Sequence, residues 1–78
     1  MSYKLKQDVS IGSNLKKYRE KAGLSQERIA AKLQTQGLDI SREILSQMER
    51  GKYSIRISVL LALVQLYDTP IQDFFVNP

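Results

Sequence analysis

The 78-residue sequence contains no cysteine, no histidine and no tryptophan. Without cysteine the chain has neither a disulfide framework nor a thiolate metal site, which fits a reducing compartment such as the cytoplasm. Without histidine, zinc has only carboxylate ligands left, and no nucleophile–histidine pair can form. These absences exclude most enzyme classes, so we expect no catalysis, no metal and no cofactor.

Long apolar runs are also missing. The longest, residues 59–64, is far shorter than the roughly 20 residues that a helix needs to cross a bilayer. The N-terminus carries Lys4, Lys6 and Asp8 and no apolar run, which is unlike a secretory signal peptide. We therefore expect a soluble, intracellular protein with no membrane partner, and at this length a single domain.

The formal net charge of +4 is unevenly distributed. Residues 1–56 hold all 12 basic and six acidic residues, a charge of +6, whereas residues 57–78 hold two acidic residues and no basic one, a charge of −2. This layout fits a basic side that faces a polyanion and an apolar side that packs. A basic surface that is simply solvated fits it equally well.

Helical periodicity and capping signals predict five short helices and no strand. The first covers about residues 10–22, with Ile11, Leu15, Tyr18 and Ala22 on one face and Gly23 as its stop. We expect residues 1–9 to be a flexible N-terminal arm, either frayed or touching DNA through its lysines, and residues 10–78 to form the domain.

The second and third helices each follow a serine that can act as N-cap. Ser25 precedes a helix with Ile29, Ala30 and Leu33 on its buried face, ended by Gly37 or the loop around it. Ser41 precedes a helix over 42–50 that stops at Gly51, and Ile40 is placed to pack against Leu45.

The two last helices are apolar. The fourth covers residues 57–67, and Thr69 and Pro70 cap and start a short fifth one. Leu60, Leu63, Val64 and Tyr67 satisfy one face of the fourth helix, and Ile71, Phe74 and Phe75 form the buried side of the fifth. The predicted fold class is an all-α bundle.

The outer face of the third helix is polar. Its side chains are Glu43, Ser46, Gln47 and Arg50, with Arg42 and Ile44 on the flanks. Residues of these polar types can match the donors and acceptors of the DNA major groove. Any amphipathic helix has a polar outer face, so this pattern alone also fits a solvated helix.

The order of residues along the whole chain is more specific. It runs Ile11-Gly12-x-x-Leu15-x-x-x-Arg19, Gly23-Leu24-Ser25-Gln26, Ile29-Ala30-x-x-Leu33, Ser41-x-x-x-Leu45-Ser46-x-x-Glu49-x-Gly51, Ile57-x-x-Leu60-x-x-Leu63-Val64-x-x-Tyr67 and ends at Phe74-Phe75. This set resembles the lambda-repressor-like (Cro/repressor, XRE-type) helix-turn-helix family. The resemblance implies a five-helix domain that binds double-stranded DNA, usually as a dimer on a two-fold-related operator.

The resemblance also assigns roles to residues. It implies base contacts from Arg42, Glu43, Ile44 and Gln47. It implies phosphate contacts from Gln26, Arg50, Lys52, Tyr53 and Ser54, with bracing of the first recognition residue as the alternative for Gln26. Arg19 and Glu49 would form a largely buried ion pair between the first and third helices, and the small Ala30 would let the second and third helices approach closely.

Three of the base contacts have alternatives. Arg42 could be a solvated residue at the start of its helix, although arginine bonded to guanine is the commonest specific contact. Glu43 could accept a hydrogen bond from cytosine or merely stabilise the helix N-terminus. Ile44 could touch a thymine methyl group or pack against Leu33.

The sequence departs from the family pattern in two places. Seven residues, 34–40, separate Leu33 from Ser41 where the family usually has two, so either the second helix is longer by about a turn or the turn is enlarged. Arg56 stands where the family usually has a capping hydroxyl, and we expect Ser54 or Ser58 to substitute.

The apolar surplus of the fourth helix leaves its role open. Val59, Ala62 and Leu66 lie outside the predicted buried face. Either the fifth helix and the C-terminal tail cover them, or they form a dimer interface together with Phe74 and Phe75. We expect a bacterial or phage transcriptional regulator that binds a pseudo-palindromic operator as a homodimer, with no small-molecule ligand. The alternative is a protein-interaction module, such as an antitoxin or adaptor, that uses the fourth and fifth helices.

Overall fold

The computed structural model describes residues 11–77, and the predicted arm, residues 1–9, lies outside the described residues. The described part contains four α-helices: α1 (Gly12–Lys21), α2 (Gln26–Thr35), α3 (Arg42–Glu49) and α4 (Ile57–Leu66). A short 3₁₀ helix, Ile71–Phe75, follows them. The predicted all-α class is confirmed, and the fifth predicted helix is a 3₁₀ helix rather than an α-helix.

The N-termini of α2 and α3 are capped by the predicted serines. The hydroxyl oxygen of Ser25 accepts a hydrogen bond from the backbone N–H of Arg28 at 3.1 Å, and that of Ser41 accepts one from Ile44 at 3.1 Å. Each bond satisfies a backbone donor that has no partner within its own helix. Both helices therefore start where the sequence predicts.

α4 begins at Ile57 as predicted, but the capping residues predicted for the last two elements are wrong. Arg56, not Ser54 or Ser58, occupies the N-cap position of α4, and its side chain makes no capping hydrogen bond. Thr69 does not cap the 3₁₀ helix, because its hydroxyl donates to the carbonyl oxygen of Tyr67 at 3.0 Å, and Pro70 takes the position before the first helical residue.

All four α-helices end in the same hydrogen-bond pattern, the Schellman motif. At the end of α3 the N–H of Gly51 donates to the carbonyl of Met48 at 3.1 Å, and that of Lys52 donates to Gln47 at 2.8 Å. The motif needs a left-handed residue after the helix, and Gly51 has a φ of +73°. At the end of α4 that position is held by Asp68 with a φ of +49°.

The core is one cluster of buried apolar side chains from every element. Phe74 of the 3₁₀ helix lies in it with no exposed surface, and the rings of Tyr18 and Tyr67 pack against Phe74 at 5.4 and 6.4 Å between centroids. Ala22, predicted on the buried face of α1, is exposed because it forms the C-cap where the chain leaves the helix.

The connection between α2 and α3 covers residues 36–41. It is braced by Gln34, whose side-chain amide donates to the carbonyl of Ile40 at 3.0 Å. Ile40 itself is buried in the core together with Leu45 of α3. That this turn is enlarged relative to the family pattern stays a prediction.

Candidate nucleic-acid interface

The core holds α3 from its inner side and leaves its outer side exposed. α3 packs on α2 and on α1, and its inward side chains Leu45 and Met48 are fully buried. Ala30 of α2 is buried as well, in keeping with the close approach of α2 and α3 that the resemblance implies. The outer face of α3 therefore faces solvent, and the packing of its inner face holds the helix in place.

The first two residues of α3 are the most exposed of its outer face. The side chains of Arg42 and Glu43 are 55% and 72% exposed, and their charged groups are 3.9 Å apart. An ion pair this exposed to water contributes little to stability. Both side chains can therefore leave the pair and bind another partner. Gln47 follows on the same helix and is half-buried.

Ile44 lies against the core cluster while part of it remains exposed. This position supports the packing alternative for Ile44 over a role confined to base contact.

A basic and polar segment follows α3 directly. Its four predicted phosphate contacts, Arg50, Lys52, Tyr53 and Ser54, are all exposed. They come immediately after the recognition-helix candidate, and the Schellman motif at Gly51 turns the chain between Arg50 and Lys52. The structure thus brings all four next to the C-terminal end of α3.

The predicted ion pair between Arg19 and Glu49 is present. The Nε of Arg19 donates to one carboxylate oxygen of Glu49 at 2.7 Å, and a terminal nitrogen donates to the other at 3.1 Å. Both residues are buried, and these hydrogen bonds raise the pKa of Arg19 above its ordinary value. The remaining terminal nitrogen of Arg19 donates to the carbonyl of Leu24 at 2.8 Å. The pair therefore joins α1, the loop before α2, and the end of α3.

Gln26, the first residue of α2, also belongs to this network. Its side-chain nitrogen donates to Glu49 at 3.0 Å, on the carboxylate oxygen that also accepts from the terminal nitrogen of Arg19. This bond engages the amide nitrogen of Gln26, and the alternative in which Gln26 braces the first recognition residue stays a prediction.

Sequence reasoning missed two residues that position these helices. Gly12 lies against the end of α3, where an added Cβ would come within 2.5 Å of the carbonyl oxygen of Glu49. Asn14 is buried, and its amide donates to the carbonyls of Phe74 at 2.7 Å and Val76 at 2.8 Å. The available signal was that glycine and asparagine are both weak helix formers inside a predicted helix.

The structure buries some of the predicted dimer residues and leaves others at least partly exposed. Val59 and Phe74 are buried within the chain itself, so neither is available to a second subunit, and this part of the prediction is corrected. Ala62 and Leu66 are half-buried, and Phe75 is exposed. α4 presents two further apolar side chains on its exposed side, Ile57 and Leu61.

Within residues 11–77, no group of three or more acidic side chains is placed to hold a metal ion. None of the helices in this part of the chain combines the length and apolar character needed to cross a membrane.

A family model described as helix-turn-helix matches residues 15–74, which is more than half of the chain. No curated protein and no solved structure matches the chain significantly. The match covers α2, α3 and α4, together with both residues of the buried ion pair and most of the 3₁₀ helix. The chain therefore belongs to the XRE-type, lambda-repressor-like helix-turn-helix family of DNA-binding regulators.

Proposed function

We propose that the chain is a cytoplasmic, non-enzymatic transcriptional regulator of bacterial or phage type, which binds a pseudo-palindromic operator as a homodimer. The observation that carries this proposal is the outer face of α3, which is exposed and polar while its inner face is fixed in the core. A short helix supported in this way fits the major groove, and the basic segment after it fits the adjacent phosphates.

Arg42 and Gln47 are the main base readers in this proposal. Arginine can donate two hydrogen bonds to guanine, and glutamine can form two with adenine. Glu43 either accepts from cytosine or stabilises the N-terminus of α3, and Ile44 contributes through packing. Loss of Arg42 or Gln47 should cost about 1–3 kcal/mol of binding free energy and relax the preference at one base pair.

Lys52 and Arg50 supply charge without reading sequence, and Tyr53, Ser54 and Gln26 add hydrogen bonds to the backbone. Counterion release makes such binding fall steeply with salt. The substitution Lys52→Ala should weaken binding to all duplexes alike and reduce the salt slope by about 1. Lys32→Ala, at an exposed position in the last turn of α2, is the matched control and should leave the slope unchanged.

The homodimer is proposed to form through the exposed and half-buried apolar side chains of α4 and the C-terminal segment. Leu61 is 50% exposed and Phe75 is 46% exposed, and Ala62 and Leu66 of α4 are half-buried. With a two-fold dimer the two half-sites should be roughly one helical turn, about 10 bp, apart. Sedimentation equilibrium tests this interface: Leu61→Glu should yield monomers, whereas Gln36→Glu, at the exposed C-cap of α2, should not.

The decisive experiment is selection from a random duplex pool, followed by titration of the enriched duplex against salt. Enrichment of a pseudo-palindrome, with loss of its preference in Gln47→Ala but not in Gln36→Ala at the exposed end of α2, supports the proposal. Equal loss of affinity for operator and random duplex in Gln47→Ala removes its role as a base reader. Retention of duplexes without any enriched motif contradicts the proposal and favours a protein-interaction module instead.

A further inference from the structure

The buried carboxylate of Glu49 is shared between the ion pair and the start of α2. One of its oxygens accepts from Arg19, and the other accepts from both Arg19 and Gln26. Its side chain is only 2% exposed, so Glu49 cannot reach a ligand itself. We infer that Glu49 is nevertheless a positioning residue for DNA binding. It acts by orienting the side-chain amide of Gln26 toward a phosphate. This inference rests on the proposed function.

The chemistry of the two groups determines the orientation of the amide. An ionised carboxylate only accepts hydrogen bonds, so the NH₂ group of Gln26 and not its oxygen must face Glu49. The terminal torsion of glutamine is broad and close to two-fold, which means that nothing in the glutamine itself selects one face. Glu49 selects it, and the second N–H of the same NH₂ group remains to donate to an acceptor outside.

A phosphate requires this orientation. Its oxygens only accept, so the amide oxygen of Gln26 in the same place would repel it. Gln26 is the half-buried first residue of α2, where the helix dipole favours an anion. The negative charge of Glu49 does not oppose the phosphate, because Arg19 neutralises it through two hydrogen bonds. The network therefore places a hydrogen-bond donor at the proposed interface and adds no net charge there.

The first test is Gln26→Met, which keeps the length and helix propensity of the side chain but removes the donor. Binding should weaken about ten- to 140-fold, the loss expected for one hydrogen bond to a charged group, and equally for the selected operator and a random duplex. The salt slope should not change because glutamine is uncharged. Gln36→Met, at the exposed C-cap of α2, is the matched control. Unchanged affinity in Gln26→Met overturns the inference.

The second test separates positioning from general support of the fold. Glu49→Gln is measured with Gln26 present and again in the Gln26→Met background, at a temperature where circular dichroism shows both proteins folded. If Glu49 acts through Gln26, the substitution weakens binding in the first background and adds no loss in the second. Equal losses in both backgrounds mean a purely structural role and overturn the inference.

A third measurement needs no change at Glu49, whose substitution should destabilise the fold because it leaves the buried Arg19 without its partner. In the full chain, the side-chain amide signals of Gln26 are assigned by their disappearance in Gln26→Met. On addition of operator DNA one of the two amide protons should shift strongly, while the proton bonded to Glu49 stays near its free position. The absence of any shift in a chain that does bind DNA overturns this inference alone, whereas a chain that binds no duplex overturns the proposed function with it.

Discussion

Gly12, the first residue of α1, lies directly against the carbonyl oxygen of Glu49 at the end of α3. A Cβ built on Gly12 would stand 2.5 Å from that oxygen and 2.6 Å from the carbonyl oxygen of Met48. Both are backbone atoms, which cannot rotate away as a flexible side chain can. The start of α1 and the end of α3 are therefore in backbone contact, and only glycine allows this separation.

Gly12→Ala should destabilise the fold by about 2–3 kcal/mol, within the range for added bulk in a packed core, because the helices must move apart. Gly23→Ala is the informative comparison. Gly23 has a φ of +74° and nothing within 4 Å of its Cβ position, so its cost is conformational strain alone, about 1–2 kcal/mol. Urea unfolding measures both. A smaller loss in Gly12→Ala than in Gly23→Ala would contradict the close contact.

Asn14→Ala should loosen the C-terminal segment. The substitution removes two hydrogen bonds to the carbonyls of Phe74 and Val76, and we expect a loss of about 2 kcal/mol because buried acceptors are left unsatisfied. Amide hydrogen exchange should rise first in the 3₁₀ helix. Ser13→Ala, the exposed neighbour on α1, should leave stability within about 0.5 kcal/mol. Equal exchange in both variants would show that Asn14 does not hold this segment.

The local signals of the sequence predicted the N-caps of α2 and α3 and the end of α3. Ser25 and Ser41 cap as expected and Gly51 terminates α3, because caps and stops depend on a few neighbouring residues. The contact at Gly12 was not predictable in this way. It depends on where Met48 and Glu49 lie in space, more than 30 positions along the chain.

α4 shows a different limit. Its sequence is apolar almost all round, so periodicity offers little contrast between a buried and an exposed face. The prediction placed Val59 outside the buried face, yet Val59 is buried while Ile57 and Leu61 are exposed. The ion pair of Arg19 and Glu49 was predictable only through family resemblance, since nothing local links the two residues.

Asp68→Asn should stabilise the fold by about 0.5–1 kcal/mol. Asp68 has a φ of +49° just after α4, and asparagine tolerates this left-handed conformation better than most residues. The substitution also removes a negative charge from the negative end of the helix dipole. The gain should shrink in high salt. Asp39→Asn, two residues before the N-cap of α3, removes a charge from a positive helix end and should be neutral or slightly destabilising. A gain from both substitutions would refute the dipole explanation.

Tyr67→Phe should change the pH dependence of stability. The Tyr67 hydroxyl is buried, finds no hydrogen-bond partner within residues 11–77, and has its pKa raised mainly by burial and further by the charge of Glu49. At pH 7 the substitution should be neutral or stabilising by up to about 1 kcal/mol, because it removes an unsatisfied polar group.

The sign of the effect at high pH follows from the raised pKa. Below about pH 10 the tyrosine is neutral in both the folded and the unfolded chain, so its contribution is complete. Above that pH the unfolded chain loses the proton and the folded chain keeps it, so the free energy of unfolding falls by about 1.4 kcal/mol per pH unit. In Tyr67→Phe this component of the fall should vanish between pH 9.5 and about pH 11. Tyr53→Phe, at an exposed position, should retain this fall in the free energy of unfolding. If the free energy of unfolding falls with pH in parallel for wild type and Tyr67→Phe, the Tyr67 hydroxyl is not buried in solution.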